Sequence, residues 1–434
     1  MITVARRCGS STLLRLNSLA ALRSGTTQQH FSTSGGSREL KDNDVVILSF
    51  ARTPIGNFMG GLSSLSATQL GAAAVKEAIR RACVDPDEVD EAFLGNVVSA
   101  GLGQAPARQA ALFGGLPKTV PCTTVNKVCA SGMKAAMLAS QTIALGHGDV
   151  VVAGGFESMS NIPHYLQNSR KGLRLGNGTL VDGLLTDALT DVYNEQHMGM
   201  CAEVCADTHG FSRDEQDDYA LESYRRAAAA WDSGKFKDEV FALEVPQSRG
   251  KPPVTISRDH ESPIDPKKVR AARPAFKSSG SVTAANASTL NDGAAALVLS
   301  SAKRARELGL SPLARVLGYA DAARDPVEFT VAPSDAVPRA LSVAGIAAGD
   351  VDFHEVNEAF AVVALANMRL QRLDHAKVNV NGGAVALGHP LGASGARIIG
   401  TLYTVLKQED GTIGCASICN GGGGASAIVI ERLK

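Results

Sequence analysis

The chain has 434 residues, two or three structural units at roughly 150 residues each, which excludes a small disulfide-stapled module. Lys and Arg number 43, as do Asp and Glu, so there is no net charge to draw a polyanion, and nucleic acid is not expected as a partner. Apolar residues make up 44% and charged residues 20%, enough to bury a sizeable core. The longest apolar runs, such as 359–366, fall far short of the ~18 residues of a membrane span.

Residues 1–38 stand apart. They hold five arginines (Arg6, Arg7, Arg15, Arg23, Arg38), many Ser and Thr, and no acid before Glu39. The leucines of SSTLLRLNSLAALRS are spaced at helical intervals between polar residues, the pattern of a mitochondrial transit peptide removed near His30 to Arg38.

From DVVILSF onward, β-branched runs alternate with Ala-rich helical stretches. TQLGAAAVKEAIRRA reads as a helix with Thr68 as its cap. VDEAFLGNVV reads as a strand, NKVCASGMKAAMLASQTIALG as a helix, and DVVVAGGFES as a strand. This alternation predicts a layered α/β fold with a largely parallel sheet. Residues 161–283 break the rhythm with charge, a helical FSRDEQDDYALESYRRAAAAWDSGKF and a Pro-rich link (Pro246, Pro252, Pro253, Pro263, Pro266), and read as an inserted lobe.

After the lobe the pattern repeats. Val89-Asp90 matches Val351-Asp352 at a displacement of 262, and ASG at 130–132 matches ASG at 393–395 at 263. This is an internal duplication in which each half carries strand-helix-strand-helix-strand, with a site where the halves meet. The predicted organisation is a leader (1–38), an N-terminal domain (39–160 plus 284–310), an inserted lobe (161–283) and a C-terminal domain (311–434).

The eight cysteines include no pair at zinc-knuckle spacing, so cysteine metal ligation is not expected. The two C-x3-C pairs, Cys201/Cys205 and Cys415/Cys419, read as buried small hydrophobes. Cys129 precedes the first ASG helix, and His389 the second. A helix N-terminus offers free N–H groups and partial positive charge, which favours a thiolate; a drop of ~1.5 units from ~8.5 would ionise about half the thiol at pH 7. The run Gly421–Gly424 is not accompanied by a G-x-x-x-x-G-K-[ST] motif, which disfavours a nucleoside triphosphatase.

VNKVCASGMKA, TAANASTLNDGAAA, VNEAFA, NGGAVALGHPLGASGAR and CNGGGGASA, in this order, resemble the thiolase family over essentially the whole chain after the leader, and most closely its mitochondrial acetoacetyl-CoA branch. The resemblance implies a layered α-β-α-β-α fold of duplicated halves with an inserted loop domain. It implies reversible condensation of two acetyl-CoA to acetoacetyl-CoA plus CoA, through an acetyl-cysteine. Cys129 would be the nucleophile, His389 its base, and Cys419 the second, acid/base cysteine. Asn357 would hold a water that completes an oxyanion hole with His389, and the N–H groups of Cys129 and Gly421 would form the other.

By the same resemblance, His197 would line the acyl pocket and Tyr224, Lys268 and Ser288 would contact coenzyme A. Phe329 would mark substrate preference, although Thr330 stands where that branch has Pro. A potassium ion would sit against Tyr224 and the carbonyls of Ala284, Ala285, Ala287 and Val385. A homotetramer in the mitochondrial matrix is expected. A thiolase of broader chain length, and a non-catalytic CoA-binding scaffold, are the alternatives.

Overall fold

Apolar alternation with period two decides which face of each strand meets which helices, and the two faces are sorted cleanly in this chain. The computed structural model describes residues 39–247, 250–260 and 265–434. The leader expected over 1–38 lies outside the described residues. Leu40–Lys434 form one compact unit, and no described helix is long and apolar enough to cross a membrane.

The first half runs β1 (Val45–Arg52), α1 (Ala67–Ala82), β2 (Glu91–Gly95), α2 (Pro106–Phe113), β3 (Cys122–Val125), α3 (Ser131–Ala144) and β4 (Val150–Ser158). The chain then leaves the sheet. It builds α4 (Met198–His209), α5 (Arg213–Asp232), α6 (Pro266–Ala271) and three small two-stranded ribbons, and returns as β5 (Asn291–Ser301), followed by α7 (Ala302–Glu307). The second half is β6 (Ala314–Ala323), α8 (Pro333–Ala344), β7 (Phe353–Val356), α9 (Ala361–Gln371), α10 (Ala384–Leu387), α11 (Leu391–Gln408), β8 (Ile413–Asn420) and β9 (Gly424–Arg432).

The strands form one sheet in the order β7-β8-β9-β6-β1-β5-β4-β2-β3. The pairing repeats between halves. β1 is antiparallel to β5, β5 antiparallel to β4, and β4 parallel to β2; likewise β6 is antiparallel to β9, β9 antiparallel to β8, and β8 parallel to β7. The parallel β2–β3 pair is echoed by a single bridge from His354 to Val378. Both halves even carry a register shift in the matching strand, between Ile47 and Ser49 and between Val316 and Gly318. The halves join where β1 meets β6, antiparallel.

The sheet is therefore mixed, and the expectation of a largely parallel one is corrected. The last two strands of each half, β4 with β5 and β8 with β9, are not joined by a βαβ crossover and pair antiparallel. In the second half a glycine turn joins them; in the first, the whole inserted segment occupies that turn.

α3 and α11 lie in the middle layer. Ala295, Leu297 and Leu299 of β5, with Ile418 of β8 and Ile428 of β9, point at them; Ala294, Ala296 and Val298 face α1 and α2 instead. α8 covers the outer face of the second half, against Cys415, Ala427 and Val429. The α1 cap is Ser66, in a capping box with Gln69, and not Thr68, which is buried in the first turn of the helix. The second capping box, Ser212 with Glu215, starts α5.

Candidate active site

Cys129 and His389 occupy the same place in the two halves. Each sits one residue before the N-cap of a middle-layer helix, Ala130 for α3 and Pro390 for α11. Neither cap residue supplies a side-chain hydrogen bond. The two helix starts are drawn together by glycine: a Cβ on Gly132 would lie 2.8 Å from Gly392 O, and one on Gly155 would lie 1.9 Å from the same oxygen.

The residue before the nucleophile is strained. Val128 has φ +47, a left-handed conformation that a β-branched residue adopts only under external constraint. The constraint is visible. Asn126 Oδ1 accepts the Val128 N–H at 3.0 Å, while Ser131 Oγ donates to Val128 O at 2.6 Å and accepts the Lys127 N–H at 2.8 Å. The N–H groups of Gly421 and of Cys129 itself point at the Cys129 sulfur. Burial nevertheless outweighs them and pushes the thiol up to about 11. The expected lowering at the helix start is thus corrected: desolvation exceeds the helix contribution, and the resting group is a thiol.

His389 is held as a neutral base. Its Nδ1 is 2.6 Å from Ser394 Oγ, whose hydroxyl donates to Pro390 O at 2.9 Å. The hydroxyl therefore accepts from Nδ1–H, leaving Nε2 as the basic, accepting nitrogen. Burial, with a smaller contribution from the Arg397 charge, pushes the imidazole down to about 3. Asn357 Nδ2 lies 3.5 Å from Nε2, and Asn357 Oδ1 is buried with no hydrogen-bond partner. The main-chain N–H of His389 is fixed by Asn291 Oδ1 at 2.9 Å.

Cys129, His389 and Gly421 open on one cavity of about 500 Å³, walled also by His197, Ser288 and Phe329. Cys419 and Asn357 are outside its lining. Cys419, wholly buried on β8, packs in the cluster that contains Met198, Phe329 and Phe360, and burial, then the neighbouring Cys129, pushes its thiol well up.

His197 caps α4, its Nδ1 accepting the Gly199 N–H at 3.0 Å, and stacks on Phe276 with centroids 4.7 Å apart. Ser288 spends its hydroxyl proton on Ala359 O at 2.9 Å, leaving its lone pairs toward the cavity. Lys268 is exposed on α6, away from the lining. Ala284 and Ala287 line the cavity, whereas Tyr224 and Val385 pack in a separate cluster. Glu358 links the two regions. It accepts the Val385 N–H at 3.0 Å and stands beside Tyr224, and its near neighbour Phe360 bridges to Ala287. Burial, then Glu358, pushes the Tyr224 phenol up to about 12, so its oxygen is neutral. Carbonyls and a neutral phenol fit a large monovalent cation.

Three residues absent from the sequence reading organise the site. Glu157 Oε2 accepts Val97 N–H at 3.0 Å and Gly392 N–H at 2.9 Å, while Oε1 accepts Asn96 Nδ2 at 3.0 Å and Val98 N–H at 3.2 Å. It thereby caps α11 from the other half. Burial pushes its carboxyl up to about 7 against those hydrogen bonds. A lone acid in VVVAGGFES was the available signal. Ser394 and Lys127 gave none, because Ser and Lys are ordinary at helix starts and in loops.

Family models for the thiolase N-terminal domain and the thiolase C-terminal domain match residues 45–303 and 310–432. A cytosolic acetyl-CoA acetyltransferase of Gibberella zeae is 55% identical over 391 residues, 90% of this chain and 98% of that protein. A mitochondrial acetyl-CoA acetyltransferase of Xenopus tropicalis is 51% identical over 428 residues, 98% of this chain and 99% of that one. Among solved structures, a thiolase of Ascaris suum in complex with coenzyme A superposes with TM-score 0.85 at 48% identity, covering 90% of this chain and 100% of that one.

Proposed function

The chain belongs to the thiolase family, and from that premise we propose that it is an acetyl-CoA C-acetyltransferase, condensing two acetyl-CoA to acetoacetyl-CoA and CoA and cleaving the product in reverse. The observation that carries the reading is the pairing of Cys129 and His389 at matched helix starts on one cavity, with two N–H groups aimed at the sulfur.

The resting pair is thiol and neutral imidazole, so proton transfer from Cys129 to His389 Nε2 accompanies attack on the thioester carbonyl. The oxyanion that forms takes the N–H groups of Cys129 and Gly421, and CoA leaves with the Cys419 proton while His389 keeps the proton taken from Cys129. In the second half-reaction, Cys419, now a thiolate, removes the α-proton of a second acetyl-CoA and is a thiol again. The enolate oxygen accepts from the protonated Nε2 of His389 and from a water on Asn357, whose unpaired Oδ1 supplies an acceptor for that water. Attack of the enolate on acetyl-Cys129 then yields acetoacetyl-CoA and releases the Cys129 sulfur, which takes its proton back from His389. Two donor sets are needed because the two charges develop in different places.

Coenzyme A is bound through the inserted segment, with His197 and Phe329 beside the acyl group and Tyr224, Lys268 and Ser288 beside the carrier. Potassium, held by Tyr224 and the carbonyls of Ala284, Ala285, Ala287 and Val385, would stiffen the loop that carries Ser288. A mitochondrial-matrix location is supported by the acid-free leader and by a mitochondrial relative whose match extends over 428 residues, and a homotetramer by the resemblance to the family. We read 39–160 with 284–310, and 311–434, as the duplicated domains, and 161–283 as the CoA-binding lobe.

The reading is tested with a chain-length series of 3-ketoacyl-CoA substrates, in potassium and in sodium, together with mass spectrometry of enzyme incubated with acetyl-CoA. Expected are an acetyl adduct on Cys129, activity that falls steeply beyond four carbons, and weaker CoA binding in sodium. A chain that binds CoA without forming the adduct would be a scaffold.

A further inference from the structure

We infer that Lys127 is a positioning residue for the Gly421 peptide, acting through the Asn420 side chain to aim the Gly421 N–H at the Cys129 sulfur; this rests on the acyl transfer proposed above. The glycine turn after β8 needs such an anchor. Gly422 and Gly423 have φ of +83 and +89, and a Cβ on Gly421 would find only Met198 Sδ at 3.4 Å and Val128 Cγ1 at 3.7 Å. Side-chain packing does not wedge this peptide in place.

Hydrogen bonds do. Lys127 Nζ donates to Asn420 Oδ1 at 3.1 Å, Ala425 O at 3.0 Å and Ser426 Oγ at 3.0 Å, backed by Asp321 Oδ1 at 3.1 Å. Asn420 Nδ2 in turn donates to Gly421 O at 2.9 Å, closing a ring that contains the Asn420–Gly421 peptide and hence the Gly421 N–H. With its oxygen held by Lys127 and its nitrogen by Gly421, the planar Asn420 amide has one orientation. Gly424 leaves the room: a Cβ there would lie 2.6 Å from Asn420 Nδ2.

At its other end Lys127 belongs to the nucleophile loop, where its N–H is fixed by Ser131 Oγ next to the strained Val128. One residue of the first half thus references the Cys129 N–H and the Gly421 N–H, contributed by different halves, to each other. Misplacing one donor costs rate in the steps that build an oxyanion and leaves ground-state CoA binding alone.

The test compares wild type, Lys127→Met, Asn420→Ala and the double variant by thiolysis of acetoacetyl-CoA. Each single variant is expected to lose about tenfold or more in kcat, less than the 10²–10³ of deleting an oxyanion donor, with KM for acetoacetyl-CoA within about twofold. Because both act through one peptide, the double variant should be no slower than the slower single variant. Losses that multiply, a raised KM at unchanged kcat, or a Lys127→Met enzyme of wild-type kcat would overturn the assignment. If Lys127→Met fails to fold, Asn420→Ala alone decides it by the same kcat and KM criteria. A wild-type chain without thiolysis would overturn this assignment and the proposed function together, whereas active wild type beside unimpaired variants overturns this assignment alone.

Discussion

Gly132 and Gly395, equivalent residues of the two halves, each face the backbone of the other half's middle helix. A Cβ on Gly132 would stand 2.8 Å from Ala396 N, and one on Gly395 would stand 2.3 Å from Met133 N. Nothing separates α3 from α11 at this point, which is why residues just before the two helices share a cavity.

Gly395→Ala should therefore destabilise the protein although alanine is the better helix former by about 1 kcal/mol. The clash is with main chain and cannot be relieved by a rotamer, so a net loss of about 1–3 kcal/mol is expected, with a fall in kcat as the helix starts move apart. Urea unfolding and thiolysis rates measure both. A stabilised and fully active variant would contradict the close approach.

The two cysteines should separate by half-reaction. Cys129→Ala should form no acetyl-enzyme and show no turnover. Cys419→Ala should still be acetylated on Cys129, yet lose at least the ~10²- to 10⁴-fold that deletion of a positioned acid/base costs in condensation. Mass spectrometry of the adduct beside the condensation rate checks this; an adduct on Cys419, or normal condensation without it, would reverse the roles.

His389 makes the stability depend on acid. Its folded value of about 3 lies below the ordinary 6.5, so the unfolded chain binds the extra proton between those limits. Its contribution is full above about pH 6.5 and is lost as pH falls toward 3. The stability difference between wild type and His389→Asn should thus grow by up to ~1.4 kcal/mol per pH unit from pH 5 to 6.5 and level off above that. Denaturant midpoints across pH 5–8 give the curve, and a flat difference would mean that His389 charges as an ordinary histidine.

Glu157→Gln should loosen α11. The amide sets an NH₂ group against N–H groups that the carboxylate now accepts, and leaving such buried donors unmatched costs about 1–3 kcal/mol. The expected outcome is lower thermal stability together with slower acetylation of Cys129, because the uncapped helix start carries His389. Wild-type acetylation in a destabilised Glu157→Gln enzyme would confine Glu157 to a structural role.

The duplication and the alternating elements were legible from residues alone, because periodicity reports burial, and Cys129 and His389 stood out at matched helix starts; Asn357, Cys419 and Gly421 were singled out only by resemblance to the thiolase motifs. The capping residue of α1 is not decided by residue type, since Ser66 and Thr68 are both competent caps and only the Gln69 partner chooses between them. The direction of strand pairing was not legible. It depends on whether a crossover helix or a turn joins two strands, and in the first half that turn holds the entire inserted segment. Nor was the state of the nucleophile: a helix start favours the thiolate, but the desolvation that raises Cys129 to about 11 comes from residues scattered along the chain. The same holds for Glu157, whose carboxylate on β4 caps α11, a helix that begins more than two hundred residues later. Local pattern determines which face of an element is buried; what that face meets, and the charge a buried group keeps, are decided only when distant segments exclude water together.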